Sequence, residues 1–404
     1  MKLKLKLGMA AAVAFAFGSA HAQVSDGVIK IGVMNDQSGT YADLAGPGSV
    51  VAARMAVEDF GAAKKGMKVE ILVADHQNKP DVGSSIARQW YDVDKVDVIM
   101  DVPTSSVVLA VNQVTKEKNK ALIVSTGATS DLSGKACTPN SIHWTYDTWS
   151  LANGTGSAIV KTGGKSWFFL TADYAFGHAL ERDTEAVVIK NGGKVLRKVR
   201  HPFPSADFSS FLLQAQASKA QIIGLANAGA DTINAIKQGA EFGIVKGGQQ
   251  FAGLLVFLTD VHAIGLEKAQ GLLLTEAFYW DVNDRTRAWS KRFAAQHKGA
   301  MPTMAQAGVY SSVLHYLKAV EALKSDDGPK VIAKMKELPS DDPVFGKGRV
   351  RQDGRHVHDM YLFEVKKPSE SKGAWDYYKV RATIPAEQAF RPMDQGDCPL
   401  VAKK

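Results

Sequence analysis

The chain has 404 residues, 45% of them hydrophobic and 22% charged, which is enough apolar material for two domains with their own cores and no need of a metal or disulfide staple to fold. Its formal charge of +8 is scattered, densest at "AKKG" and "VKKPS"; no basic helix carries interleaved aromatics, so nucleic acid is not an expected partner. At the N-terminus Lys2, Lys4 and Lys6 precede an apolar run over 7–18 that is shorter than a membrane span, and "GSAHAQ" offers Ala20 and Ala22 as small cleavage-site residues. This is the pattern of a secretory signal peptide over 1–22, cut after Ala22 to leave Gln23. Loss of its three lysines lowers the charge to +5, read as solubility in an exported compartment.

Short β-rich runs then alternate with amphipathic stretches. Strands are expected over 28–34, 67–75, 96–102 and 120–125, with helices over 48–61, 80–93 and 106–119. The rhythm restarts near residue 150: a helix over 153–163, strands over 165–173, 192–202, 220–229 and 250–257, and helices over 176–191, 207–218 and 231–243. Alternation of this kind predicts parallel sheets covered by helices on both faces. Further helices over 285–298 and 305–324 must return to one of the units. Residues 348–365 read as a hairpin turning at Asp353-Gly354, and 375–380 as a last strand. The expected fold class is α/β, two doubly wound parallel-sheet lobes joined by a multi-strand hinge, with chain crossings that allow hinged motion.

Ligands of open parallel sheets bind at the carboxyl ends of strands. Two hydroxyl clusters sit there. "DVPTSSVVLAV" places Thr104, Ser105 and Ser106 at the start of a helix, and "ALIVSTGATSDLSG" follows a strand with five hydroxyls and one charge, Asp131. Helix N-termini offer free N–H groups suited to a carboxylate, and hydroxyls there either cap the helix or donate to a ligand. The chain has two cysteines, Cys137 and Cys398. In an exported protein a disulfide between them is expected, with two free thiols as the alternative.

The opening "IKIGVMNDQSGTYADLAGPGSVVAARMAVED", with "PTSSVVLAV", "IVSTGATSDL", "DYAFGHAL" and "NAGADT" following in order, resembles the substrate-binding proteins of ATP-binding-cassette importers, specifically the leucine/isoleucine/valine-binding class with its type I periplasmic binding fold. The resemblance spans essentially the whole mature chain. It implies lobe 1 over 23–147 plus 275–353, lobe 2 over 148–274 plus 354–385, and a C-terminal tail, 386–404, returning towards Cys137. It also implies a site. Thr104, Ser105 and Ser106 would hold a ligand carboxylate, aided by the Gly127 carbonyl and the hydroxyl and N–H of Thr129. Tyr174 would close over the ligand from the second lobe, beside Gly229, Ala230 and Asp231, and Leu44 would take the place of an aromatic specificity residue.

One departure matters. Leu255 stands where the amino-acid binders carry an acid for the ligand ammonium. A desolvated ammonium without a partner is costly, so either Asp231 substitutes or the ligand lacks an amino group and is an organic or aromatic acid. Phe278, Tyr279, Trp280 and Trp149 would then serve as apolar walls, or as ordinary packing between lobes.

No catalytic pattern competes strongly. "TGGKS" (162–166) lacks the phosphate-loop glycine, having Ile159 there, and precedes its strand. No nucleophile elbow or dinucleotide fingerprint occurs. His356 and His358 alternate on one expected strand and could be two metal ligands, but no third appears at a recognisable spacing, and an exposed hairpin is the plainer reading. The expected protein is a monomeric periplasmic receptor without cofactor or metal, carrying a small carboxylate to a membrane permease. An exported hydrolase using His356 and His358, or a ligand-sensing module, are the alternatives.

Overall fold

The computed structural model describes residues 24–402. The expected signal peptide and Gln23 lie outside the described residues, as do the last two residues of the expected tail.

The strand Ile29–Asn35 (β1) shows why helices cover both faces of its sheet. Ile31 and Val33 point to one side and Met34 to the other, and all are buried. After it come α1 (Gly46–Phe60), β2 (Val69–Asp75), α2 (Pro80–Gln89), β3 (Val98–Asp101), α3 (Ser105–Lys118), β4 (Ala121–Val124) and β5 (Ser141–His143). The strands are parallel in the order β2-β1-β3-β4-β5. Val98, Met100 and Ile123 share a core with α1, while Ile99, Leu122 and Val124 pack with Trp90, Val107 and Val111 on the other face. Strands apolar on both faces are what such a sheet requires. Gly32 lies under Trp90, where a Cβ would come within 2.3 Å of the ring.

The second unit repeats the scheme. α4 (Thr148–Leu151) and α5 (Ser157–Lys161) form one helical run through 152–156, followed by β6 (Ser166–Ala172), α6 (Ala175–Lys190), β7 (Lys194–His201), α7 (Ser209–Ser218), β8 (Ile222–Ala226), α8 (Ala230–Glu241) and β9 (Gln250–Gly253). The sheet order is β7-β6-β8-β9, all parallel. Trp167 and Phe169 face one core, Phe168 and Leu170 the other.

The remaining elements are α9 (Leu258–Ile264), α10 (Leu266–Ala269), β10 (Leu273–Glu276), α11 (Asp284–Gln296), α12 (Met304–Leu323), α13 (Gly328–Glu337), β11 (Ser340–Asp342), β12 (Gly346–Val350), β13 (His356–Val357), β14 (Met360–Val365), β15 (Tyr378–Ile384) and α14 (Ala386–Ala389). α12 packs along α1 and so returns to the first unit. β14 pairs antiparallel with both β10 and β15, and Phe363 of β14 and Tyr378 of β15 join the second unit's core. The fold is α/β with two doubly wound lobes, and the chain passes between them after β5, after β10 and after β13. The expected lobe limits at residues 275 and 353 fall within β10 and within the turn of the β12–β13 hairpin.

Several expectations need correction. The strand expected over 250–257 ends at Gly253, because Asp260 Oδ2 accepts the Phe257 N–H at 2.9 Å and starts α9. β5 and α13 have no counterpart among the expected elements. The 348–365 hairpin turns at Gly354, whose φ is 80°, but its second arm ends at Val357, and β14 leaves for the other lobe. The hairpin is not exposed either. His356 and His358 are fully buried because they tie together two of the segments that pass between lobes. His356 stacks on Trp144 with centroids 3.8 Å apart and bonds Ser340 Oγ at 2.7 Å. His358 Nε2 lies 2.9 Å from the Thr145 carbonyl, and burial lowers its pKa to about 4. Both rings are engaged by the protein, and among the described residues no group of three or more His, Cys, Asp or Glu is placed to hold a metal.

Cys137 and Cys398 are disulfide-bonded across 261 residues of sequence. Arg391 Nη2 also donates to the Ser130 carbonyl at 2.9 Å, fastening the C-terminal tail to the loop after β4.

Candidate functional site

α3 begins where β3 ends, at an unusual turn. Asp101, Val102 and Thr104 all have positive φ, at 80°, 51° and 73°. Left-handed conformations at non-glycine residues cost about 1–3 kcal/mol each and persist only where surroundings enforce them. Their effect here is to aim the first turn of α3, with its unpaired N–H groups, at the space between the lobes.

A cleft lies there, with about 260 Å³ of empty space that is continuous with solvent. Leu44, Thr104, Ser105, Tyr174 and Leu255, five of the residues expected from sequence, line it. Tyr41, Pro103, Thr126, Ala128 and Tyr146 complete the first-lobe side, and Phe176, Ala228 and Phe257 the second. No lining residue carries a formal charge. The apolar remainder is strongly aromatic.

The hydroxyls have defined partners. Ser105 Oγ accepts the Thr129 N–H at 3.1 Å. Thr104 Oγ1 donates to Asn78 Oδ1 and Thr126 Oγ1 to Asp101 Oδ1. Tyr146 Oη donates to the Thr126 carbonyl at 2.7 Å. Across the cleft, Tyr41 Oη and Tyr174 Oη bond to each other. Burial raises the Tyr41 pKa well above its ordinary value, and the neighbouring Tyr174 raises it further; both phenols are neutral and available as hydrogen-bonding groups.

The other expected residues stand behind or beside the lining. Ser106 is half-buried on α3. The Gly127 carbonyl lies 2.7 Å from His143 Nε2. Thr129 supports Ser105 and caps the following turn. Gly229 forms the seam: its φ is 58°, and a Cβ would come within 2.5 Å of the Thr40 carbonyl of the opposite lobe. Asp231 is buried with Oδ1 accepting the Ser205 N–H at 3.0 Å and Oδ2, which has no hydrogen bond, 3.8 Å from His201 Nδ1, and burial raises its pKa to about 7. Phe278, Tyr279, Trp280 and Trp149 do not line the cavity. Phe278 packs edge-on to Trp289, and Tyr279 and Trp280 both donate to the Trp375 carbonyl.

Sequence reasoning missed Tyr41, although it lies in the quoted "SGTYADL", and Thr126, although it lies in the hydroxyl-rich stretch. Tyr146 and Phe257 gave no local signal, since both enter from segments that connect elements.

A cleft between two α/β lobes, lined by uncharged donors and aromatic rings, defines a two-lobe ligand-binding protein. The chain belongs to the periplasmic binding protein family, whose sequence profile matches residues 28–374. It is similar to a periplasmic binding protein of Burkholderia mallei, with 54% identity, a TM-score of 0.90, and 93% of this chain and 99% of that one covered. A branched-chain amino acid ABC transporter periplasmic ligand-binding protein of Burkholderia xenovorans is 43% identical, with a TM-score of 0.82 over 92% of this chain and 99% of that one. Leu/Ile/Val-binding protein homolog 6 of Brucella melitensis is 25% identical over 363 residues, 87% of this chain and 91% of the relative. These place it in the leucine/isoleucine/valine-binding class of ABC-transporter substrate-binding proteins.

Proposed function

We propose that this protein is exported, its leader removed after Ala22, and that it captures a small carboxylate lacking an ammonium group, closes on it, and delivers it as a monomer to a membrane permease. The moving units are the first sheet with α11–α13 and the second sheet with β10, β14 and β15. One observation carries the ligand class: the cavity offers donors to an anion but no carboxylate to a cation. The first turn of α3 and the Ser105 hydroxyl suit a carboxylate, because hydrogen bonds there satisfy it without an ion pair that must be desolvated on both sides. Leu255 occupies the second-lobe position where an ammonium would need its partner, and Asp231 is turned to Ser205 instead. The rings of Tyr41, Tyr146, Tyr174, Phe176 and Phe257 favour an apolar or aromatic body. Binding stabilises the closed form by the contacts that only closure creates.

A thermal-shift screen of amino acids, aliphatic acids and aromatic acids, followed by calorimetry, tests this. Stabilisation by simple carboxylic acids in preference to amino acids is expected. Selective stabilisation by leucine, isoleucine or valine would replace the reading with that of an amino-acid carrier.

A further inference from the structure

The carboxylate reading accounts for the donors in the cavity but leaves its acceptors unused. Tyr146 Oη lies 2.7 Å from the Thr126 carbonyl. A carbonyl only accepts, so the phenolic hydrogen is committed and Tyr146 presents lone pairs to the cavity. Thr126 Oγ1 donates to Asp101 Oδ1 and likewise presents lone pairs. Asp101 Oδ1 accepts while the carboxylate is ionised, a form that burial opposes and that the hydrogen bonds from Thr126 and Asn35 favour. Asn35 Nδ2 donates to the Gly46 carbonyl at 3.0 Å, which orients the amide, and also to Asp101 Oδ2 at 2.9 Å. Ser105 is the opposite case: its Oγ accepts from the Thr129 N–H and its own hydrogen remains free. The cavity therefore has a donor pole at Ser105 and the first turn of α3, and an acceptor pole at Tyr146 and Thr126.

We infer that the ligand carries a hydroxyl as well as its carboxylate, that this hydroxyl donates to Tyr146 and Thr126, and that Asp101 is the positioning residue that keeps Thr126 an acceptor. The inference rests on the carboxylate reading and deepens it. A carboxylate has no hydrogen to give the acceptor pole, and an acid without a hydroxyl leaves both acceptors without a donor from the ligand. A hydroxyl pairs with them without adding charge. An ammonium would bring a charge that the lining does not balance.

The test is calorimetric titration of the mature protein with matched probes: benzoate against its ortho, meta and para hydroxy derivatives, isovalerate against alpha-hydroxyisovalerate, and valine. At least one hydroxy acid should bind about tenfold or more tightly than its parent, and alpha-hydroxyisovalerate should bind more tightly than valine. In Thr126→Val and Asp101→Asn the preference for the hydroxy acid should collapse towards unity while the parent acid still binds. A merely structural role for Asp101 would weaken parent and hydroxy acid alike. Thr126→Val changes no charge and retains the test should Asp101→Asn not fold. Parent acids binding as tightly as every hydroxy acid would overturn the inference, and so would a preference unchanged in both variants. Valine binding more tightly than its hydroxy analogue would assign the acceptor pole to an ammonium. If no carboxylic acid binds at all, the carboxylate reading fails and this inference with it.

Discussion

Tyr41 and Tyr174 reach from opposite lobes to share a hydrogen bond between their hydroxyls, and Phe203 stacks on both rings, with centroids 5.5 and 4.3 Å away. The pair exists only when the cleft is shut, because β1 supplies the loop bearing one phenol and β6 the loop bearing the other. It joins the cavity lining to the seam between lobes.

Removing one hydroxyl should weaken the closed form without disturbing either core. Tyr174→Phe keeps the stacking on Phe203 and deletes the cross-cleft bond. An affinity loss of about 0.5–1.5 kcal/mol is expected, read by calorimetry, with the melting temperature of the unliganded protein little changed. An unaltered affinity would remove the bond from the closing energetics.

Ser105 both supports and donates. Ser105→Ala leaves the buried Thr129 N–H without its acceptor and removes the free hydroxyl hydrogen from the cavity. Ligand binding should weaken by about 1–3 kcal/mol. Thr129→Ala, whose hydroxyl faces the following turn rather than the cavity, should cost less, and titration of the two variants side by side decides the order.

Gly229 tests the closure geometry. Its φ of 58° and the 2.5 Å that would separate a Cβ at this position from the Thr40 carbonyl leave no room for a side chain when the lobes meet. Gly229→Ala should hold the protein open, so that small-angle scattering of the variant with saturating ligand resembles that of the free wild type. Compaction of the variant to the wild-type liganded dimensions would show the seam to be more tolerant than its packing indicates.

The Cys137–Cys398 bridge closes a loop of 261 residues. Bridges over long loops stabilise mainly by restricting the unfolded chain, typically by about 2–5 kcal/mol. The double variant Cys137→Ala/Cys398→Ala should melt at a lower temperature, yet bind ligand with nearly wild-type affinity, since neither cysteine lines the cavity. Detection of free thiols in the exported wild-type protein would contradict the bridge.

Asp231 gives a pH dependence with a definite sign. Burial raises its folded pKa to about 7, above the ordinary carboxylate range. Between that range and about 7 the folded state holds a proton that the unfolded state has released, so this group makes stability fall as pH rises, by up to about 1.4 kcal/mol per pH unit. Asp231→Asn keeps an acceptor for the Ser205 N–H. Its stability advantage over wild type should grow from acid to neutral pH and level off above about 7. Parallel curves of unfolding free energy against pH would sink the assignment.

Much of the architecture was legible because the local signals were strong. Strands β1, β3, β4, β6 and β8 are short apolar runs, and the helices between them carry apolar residues at helical spacing. The misses share a cause. β5 is three residues long and contains Ser141 and His143, so it has no periodicity to read. β14 follows His358 without a break in β-like sequence, and only pairing with β10 separates it from the β12–β13 hairpin. His356 and His358 read as polar residues on an exposed ribbon because nothing local discloses Trp144 or Phe345 waiting to stack on them. In the site, Ser105 and Tyr174 stand out by position at the ends of strands, whereas Tyr146 and Phe257 belong to connecting segments that carry no such mark.

The order of strands and helices, the two-unit rhythm and the hydroxyl-rich strand ends were determined by the sequence itself, because spacing at two or 3.6 residues is a property of near neighbours. Which hydroxyl still has a hydrogen to offer was decided only by the tertiary structure. Thr126 is turned by Asp101, 25 residues away, Tyr146 by the Thr126 carbonyl, 20 residues away, and Gly229 meets Thr40 from the other lobe. The direction of a hydrogen bond depends on the partner that folding delivers, and these partners are brought together only when the sheets form and the lobes meet.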